Sequence, residues 1–150
     1  MPPELRQPNN FDQLYPGRFL KAGTLDGKKV TLTISAVVHE KLEGEKGAEL
    51  KAVMSFNQTE MHLVVAKTNA LCIKEMFGPI LKEWIGKRVT FFESKVENPG
   101  PLKGQPCIRV WGSPDLPADT TIQIKLPKKK PTPMVMHKTI LNPPTQQEQK

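Results

Sequence analysis

The chain has 150 residues, of which 37% are apolar and 25% charged, and its net charge at neutral pH is +7. This length suffices for one domain with a hydrophobic core and some unpacked chain. No apolar run approaches the length of a membrane-spanning helix, and the first residues lack the apolar stretch of a signal peptide. We therefore expect a cytoplasmic protein without membrane contact, in the host cytoplasm if a phage encodes it.

The excess of positive charge lies mainly near the C-terminus. Residues 125–150 contain six lysines and one glutamate, which gives +5, whereas residues 1–124 contain 16 basic and 14 acidic groups, which gives +2. A positive net charge favours an anionic partner. A basic surface on the body of the protein therefore requires clustering in three dimensions.

The first half of the chain predicts an irregular arm followed by three strands. Residues 1–14 are rich in proline and lack periodic apolar positions, which is typical of a flexible arm. Residues 30–38 alternate along the chain and are rich in β-branched side chains, which is the strongest strand signal in this sequence. Residues 50–56 and 61–66 predict the second and third strands.

One helix is predicted after the third strand, over residues 68–77. Thr68 or Asn69 can cap its first turn, because a side-chain oxygen at that position accepts a free backbone N–H group. Glycine and proline at 78–79 stop the helix. Three side chains share a helical face and are expected to face the core: Leu71, Cys72 and Met76.

Two further strands are predicted after the helix, over residues 88–96 and 106–111. Residues 120–126 also alternate and favour one additional edge strand. From Pro127 onward, the lysine- and proline-rich composition predicts a disordered basic tail. The chain thus divides into three parts: an N-terminal arm at 1–14, a folded domain at 15–126 and a tail at 127–150.

The predicted order of elements is β-β-β-α-β-β, which is the order found in the OB-fold. We therefore expect a mainly β protein, a five-stranded OB-fold barrel with one helix between strands 3 and 4. OB-folds often hold single-stranded nucleic acid on their open face. The order of elements therefore bears on function as well as on architecture.

No catalytic or metal-binding motif occurs in the sequence. It contains no nucleophile elbow, no phosphate-binding glycine loop and no carboxylate cluster. Cys72 and Cys107 lie far apart in the chain, and neither has a histidine at metal-ligand spacing. We expect reduced thiols, no cofactor, no metal and no enzymatic activity.

Binding of single-stranded nucleic acid needs cations along a groove and aromatic rings on which bases stack. Strand alternation places Phe92 beside Arg88 on the outer face of strand four, and it places Arg109 and Trp111 on the outer face of strand five. An alternative is that Trp111 closes the end of the barrel and Arg109 pairs with an acid. The candidate binding residues for single-stranded DNA are Arg18, Lys21, Lys51, Arg88, Phe92, Lys95, Arg109 and Trp111.

Four segments carry a resemblance to a family of small bacteriophage and prophage proteins: YPGRFLKAGTLDGKKVTLTI, LVVAKTNA, EWIGKRVTFF and IRVWGSP. The chain resembles that family over about two-thirds of its length. The resemblance implies an OB-fold related to phage single-stranded DNA-binding proteins, but it assigns no binding residue. Many such proteins end in an acidic tail that recruits partners, whereas this chain ends in NPPTQQEQK.

These observations favour a sequence-tolerant single-stranded DNA-binding protein that protects strands exposed in phage replication or recombination. Its expected partners are single-stranded DNA, with RNA as an alternative, and phage replication or recombination proteins. The second hypothesis is an OB-fold interaction module that binds a host or phage protein through an apolar patch at 135–141. The edge of strand five, or the strand at 120–126, would serve to form a homo-oligomer.

Overall fold

The computed structural model describes residues 17–44, 47–96, 100–101 and 103–140. The seven strands of the described chain are β1 Val30–Gly44, β2 Gly47–Phe56, β3 Leu63–Val64, β4 Arg88–Lys95, β5 Pro106–Ser113, β6 Thr120–Ile124 and β7 Thr132–Lys138. The helices are α1 Ala22–Leu25, α2 Lys67–Phe77 and a 3₁₀ helix at Leu81–Trp84. The strands form one sheet in the order β3-β2-β1-β4-β5-β7-β6.

The long strand β1 belongs to both halves of the sheet. Its first residues, 30–33, pair with β4, and the chain from Ile34 onward pairs with β2, antiparallel in both cases. The register of the pairing with β2 shifts between Ile34 and Ala36, and such a bulge bends a strand and increases its twist. Leu32 and Ile34 are buried, as the alternating sequence predicts.

The predicted mainly β class is confirmed, whereas closure into a five-stranded barrel is not. The sheet is open and has seven strands, with β3 and β6 at its edges. The edge of β5 that faces away from β4 is occupied by β7, which runs parallel to it. No helix within the described part of the chain is long and apolar enough to cross a membrane.

Part of the segment expected to be a disordered tail is folded, which corrects that prediction. The strand β7 pairs antiparallel with β6 and parallel with β5. It buries Met136, which is 1% exposed, and partly buries Met134. Met134 and Met136 alternate with more exposed residues along β7, but the lysines and prolines around them obscure this pattern in the sequence. Residues 1–16, which include the predicted arm, and residues 141–150 lie outside the described residues.

The helix α2 lies where the sequence predicts a helix, but the expected side-chain cap is absent. Neither Thr68 nor Asn69 caps the first turn. Asn69 is instead buried, and its Nδ2 donates a hydrogen bond to the backbone oxygen of Ile108 at 2.9 Å. This bond fastens the start of α2 to β5.

The core-facing side of α2 is largely as predicted, with one residue added. Cys72 is buried, and Leu71 and Met76 are partly buried against the core. Ile73 is also fully buried, although the sequence pattern does not single it out. The helix therefore packs this side against the hydrophobic core.

Candidate functional site

Strands β4 and β5 bring Phe92, Arg109 and Trp111 together on one outer face. Phe92 and Arg109 are direct partners across the two strands. The register between the strands skips Trp111, which is therefore the extra residue of a bulge in β5. Such bulges re-aim a side chain. The rings of Phe92 and Trp111 meet edge to face with their centroids 5.1 Å apart.

Both faces of the Trp111 ring are in contact with other side chains. His137 of β7 stacks on it with the ring centroids 4.1 Å apart and the planes inclined by 18°. Nζ of Lys29, which directly precedes β1, lies 4.4 Å from the centroid of the same ring. A stacked imidazole fills the space above one face, so the ammonium group must lie over the other.

Except for Lys29, these side chains border a cleft of about 420 Å³, which we call the main cleft. It lies mainly between β4, β5, β6, β7 and the loop that joins β6 to β7. Its floor is apolar, with contributions from Val110, Ile124 and Met134. No carboxylate is among the described residues that line it. The aromatic and cationic side chains on its walls are Phe92, Trp111, His137, Lys95, Arg109, Lys129 and Lys130.

A second cleft of about 430 Å³ lies on the other side of Arg109, which borders both. Its walls include Lys21, Cys107 and the start of α2. Asn69 also lines this cleft, and its Oδ1 has no hydrogen-bond partner within the described part of the chain. Lys21, predicted as a binding residue, therefore lies beside the second cleft rather than the main one.

Arg88 is held by a carboxylate and borders neither cleft. Its Nη2 lies 2.6 Å from Oδ1 of Asp115, and its backbone N–H donates to Oδ2 of the same carboxylate at 2.8 Å. The hydrogen bonds from Arg88 hold the pKa of Asp115 below its usual value, and the carboxylate raises the pKa of Arg88. Arg88, predicted as a binding residue, therefore does not line the cleft that contains Arg109 and Trp111.

Arg18 and Lys51 are also paired with acids away from the main cleft. Nη2 of Arg18 donates to Oε1 of Glu40 at 2.6 Å, and this hydrogen bond lowers the pKa of Glu40 and raises that of Arg18. Nζ of Lys51 lies 2.9 Å from Oε1 of Glu49. These two predicted residues thus have carboxylate neighbours that would compete with a phosphate.

Half of the predicted set therefore meets at the main cleft: Phe92, Lys95, Arg109 and Trp111. The sequence prediction missed Lys29 and His137, because only the pairing of distant strands brings them to Trp111. The lysine run at 128–130 is visible in the sequence, but its assignment to a disordered tail conceals its place beside the cleft.

The two cysteines do not form a disulfide, and Cys72 is buried in the core. Both are free, and burial raises the pKa of Cys72 to about 11, so it stays a protonated thiol at neutral pH. No group of three or more metal-ligating side chains occurs within the described ranges. The chain matches no protein-family model, no curated protein and no solved structure. Its function is therefore inferred from the geometry of the main cleft.

Proposed function

We propose that this protein binds single-stranded DNA through the main cleft, without sequence preference and without catalysis. The observation that supports this most is the convergence of three aromatic rings and four cations on one cleft without a carboxylate among its described lining residues. Stacked bases use the aromatic faces, and the phosphates follow the cations. Each stacked base contributes about 1–3 kcal/mol, so even one or two platforms matter.

The chemistry of the cleft favours a single strand over a duplex. Base faces are reachable for stacking only when the bases are unpaired and separated. The apolar floor of the cleft offers such bases a surface with no hydrogen-bonding pattern to satisfy. A site of this kind tolerates any sequence, because every base has an aromatic face.

The arrangement of the first five strands supports an OB-fold as the framework for this function. They lie in the order β3-β2-β1-β4-β5, with α2 between β3 and β4 in the chain and β1 bent so as to serve both halves. We interpret this as an OB-fold that is open between β3 and β5, to which β7 and β6 are added beyond β5. The candidate cleft then lies on the strands that such a barrel leaves accessible.

The biological role follows from the resemblance to phage and prophage proteins. A protein of this kind protects single strands that are exposed during replication or recombination. Stacking and phosphate contacts do not distinguish DNA from RNA, since the distinction depends on contacts to the 2′-hydroxyl group. The preference between DNA and RNA is therefore measured with an RNA oligonucleotide of the same length.

A second candidate function is a protein-interaction module, which the exposed apolar residues favour. Val135 is 47% exposed and Ile140 82% exposed, and both belong to the patch predicted at 135–141. Met136 in the same patch is a core residue, so the exposed part is smaller than the sequence indicates. A measurement of nucleic-acid binding distinguishes the two functions.

Fluorescence anisotropy with labelled oligo-dT, its RNA counterpart and a matched duplex tests the proposal. We expect tighter binding of the single strand than of the duplex. The logarithm of the affinity should fall with the logarithm of the salt concentration by about 0.7 for each phosphate neutralised. An absence of binding at about 50 mM salt, where phosphate contacts are strong, would favour the interaction module instead.

Substitutions at the cleft locate the binding surface. Trp111→Leu should weaken oligo-dT binding about 5- to 150-fold, which corresponds to the loss of one stacked base. Arg109→Ala should reduce the salt slope by about 0.7, which corresponds to one phosphate contact. Lys82→Ala is the matched control, because Lys82 is exposed on the 3₁₀ helix and borders neither cleft. If a variant that carries both Trp111→Leu and Arg109→Ala bound oligo-dT with unchanged affinity, this cleft would be excluded as the binding surface.

A further inference from the structure

We propose that Lys29 covers one face of Trp111 in the free protein and is displaced from it by a DNA base, after which its ammonium group contacts a phosphate. This inference rests on the proposed function and adds a residue that the sequence pattern does not identify. The observed arrangement leaves no face of the Trp111 ring free, because His137 and Lys29 occupy the two sides. A base can therefore stack on this ring only if one of them moves.

His137 is held in place by the backbone of β7. It is the direct partner of Gly112 in the parallel pairing of β5 with β7. The two backbones approach so closely that a Cβ on Gly112 would lie 1.9 Å from the backbone oxygen of His137. On the outer side, Nδ1 of His137 lies 3.8 Å from Oδ2 of Asp119. These contacts keep the imidazole over Trp111.

Lys29 is far less constrained. It is exposed, and it lies between the turn at 26–27 and the first residue of β1. Its four-carbon side chain can move its ammonium group by several ångströms without any change in the backbone. Of the two groups that cover Trp111, Lys29 is therefore the one that a ligand can displace.

The displacement of Lys29 by a base improves the contact made by the Trp111 ring and gives the ammonium group a new partner. An exposed cation–π contact is weaker than the stacking of a base on an indole ring. The base arrives with a phosphate attached, and the displaced ammonium group can pair with that phosphate, so the cation is not left without a partner. Lys29 thus excludes weaker apolar ligands from Trp111, and only a ligand with both a flat ring and an anion compensates for its removal.

Proton NMR of the full chain tests this inference. Methylene protons of a lysine held over an indole ring are shifted upfield by its ring current, so the free protein should show upfield ε-methylene signals that Lys29→Met abolishes. Lys28→Ala is the matched control, because it removes the neighbouring exposed lysine and should leave these signals unchanged. Saturation with oligo-dT should return the signals of Lys29 to their ordinary position.

The salt dependence of binding supplies the second measurement. Lys29→Met should lower the salt slope for oligo-dT by about 0.7, because one phosphate contact is lost from the complex. Oligo-dT binding with the upfield signals retained, or with an unchanged salt slope in Lys29→Met, would overturn the inference while leaving the proposed function intact. A chain that binds no single-stranded DNA would remove the proposed function, and this inference with it.

Discussion

The contribution of each basic residue depends on whether a carboxylate lies beside it. Arg18 and Arg88 are paired with Glu40 and Asp115, so neither adds an uncompensated charge to the surface. Arg109, by contrast, borders a cleft whose described lining contains no acid. Lys129 and Lys130, from the stretch that carries +5, join Arg109 and Lys95 there, so the cleft is basic although residues 1–124 have a formal charge of only +2.

The pair of Arg88 and Asp115 predicts a dependence of stability on pH. The pKa of Asp115 is lowered in the folded state, so the pair contributes stability that is present above the usual value of 3.8 and is lost as the pH falls through the folded-state pKa. Asp115→Asn should lower the free energy of unfolding at neutral pH by about 1 kcal/mol at most, and the Tm with it, because both groups remain partly exposed to solvent.

Thermal unfolding followed by circular dichroism measures this difference. The Tm values of the native chain and Asp115→Asn should differ by a constant amount at neutral pH and converge below about pH 4. A difference that does not shrink as the pH falls below 3.8 would contradict the assignment, because the folded state must then take up the proton that breaks the pair.

At the scale of elements, the parallel contact between β5 and β7 decides the shape of the main cleft. This contact brings His137 to Trp111, and it requires a glycine at position 112 because the two backbones nearly touch. The antiparallel partner β6 contributes Ile122 and Ile124 to the core beneath. Together β6 and β7 form one wall of the cleft.

Gly112→Ala should displace β7 from β5. The new Cβ would overlap the backbone oxygen of His137, and since backbone atoms cannot rotate away, the strands must separate. We expect a loss of about 1–3 kcal/mol in stability and a change in the near-ultraviolet circular dichroism of Trp111 as its stack with His137 opens. Gly17→Ala is the control, because a Cβ at Gly17 meets no atom of the described residues within 4 Å. Equal Tm values for the two variants would argue against the close contact.

On the scale of the whole molecule, the sheet includes chain beyond residue 126. The strand β7 extends to Lys138, and Nζ of Lys138 donates hydrogen bonds to the backbone oxygens of Pro114 and Leu116. These bonds fasten the end of β7 to the segment after β5. The C-terminal strand is thus bound at both of its sides and at its end.

A truncation series tests how far the folded unit extends. A chain that ends at residue 126 lacks β7 and leaves β6 without its hydrogen-bonded partner, so we expect a lower Tm and a less cooperative transition. A chain that ends at residue 140 retains every described strand and should unfold like the full chain. If the shorter chain matched the full chain in Tm, β7 would contribute nothing to stability.

Local patterns were sufficient for most of the individual elements. Alternation placed the strands and identified the outer faces of β4 and β5, which carry Phe92, Arg109 and Trp111. It failed for β7, because the burial of Met136 becomes favourable only once β5 and β6 are in place to receive it. It also failed for Asn69, because its buried hydrogen bond to Ile108 joins residues far apart in the chain.

The sequence by itself determined the mainly β class, the helix between β3 and β4, and the presence of aromatic and basic side chains on neighbouring strands. These properties follow from periods of two or 3.6 residues, which are local. Only the tertiary structure decided that Lys29 and His137 lie over the ring of Trp111 and that Arg88 forms an ion pair with Asp115. It also decided that the sheet is open and has seven strands. Those outcomes depend on backbone pairing and burial between segments far apart in the chain, which no local period encodes.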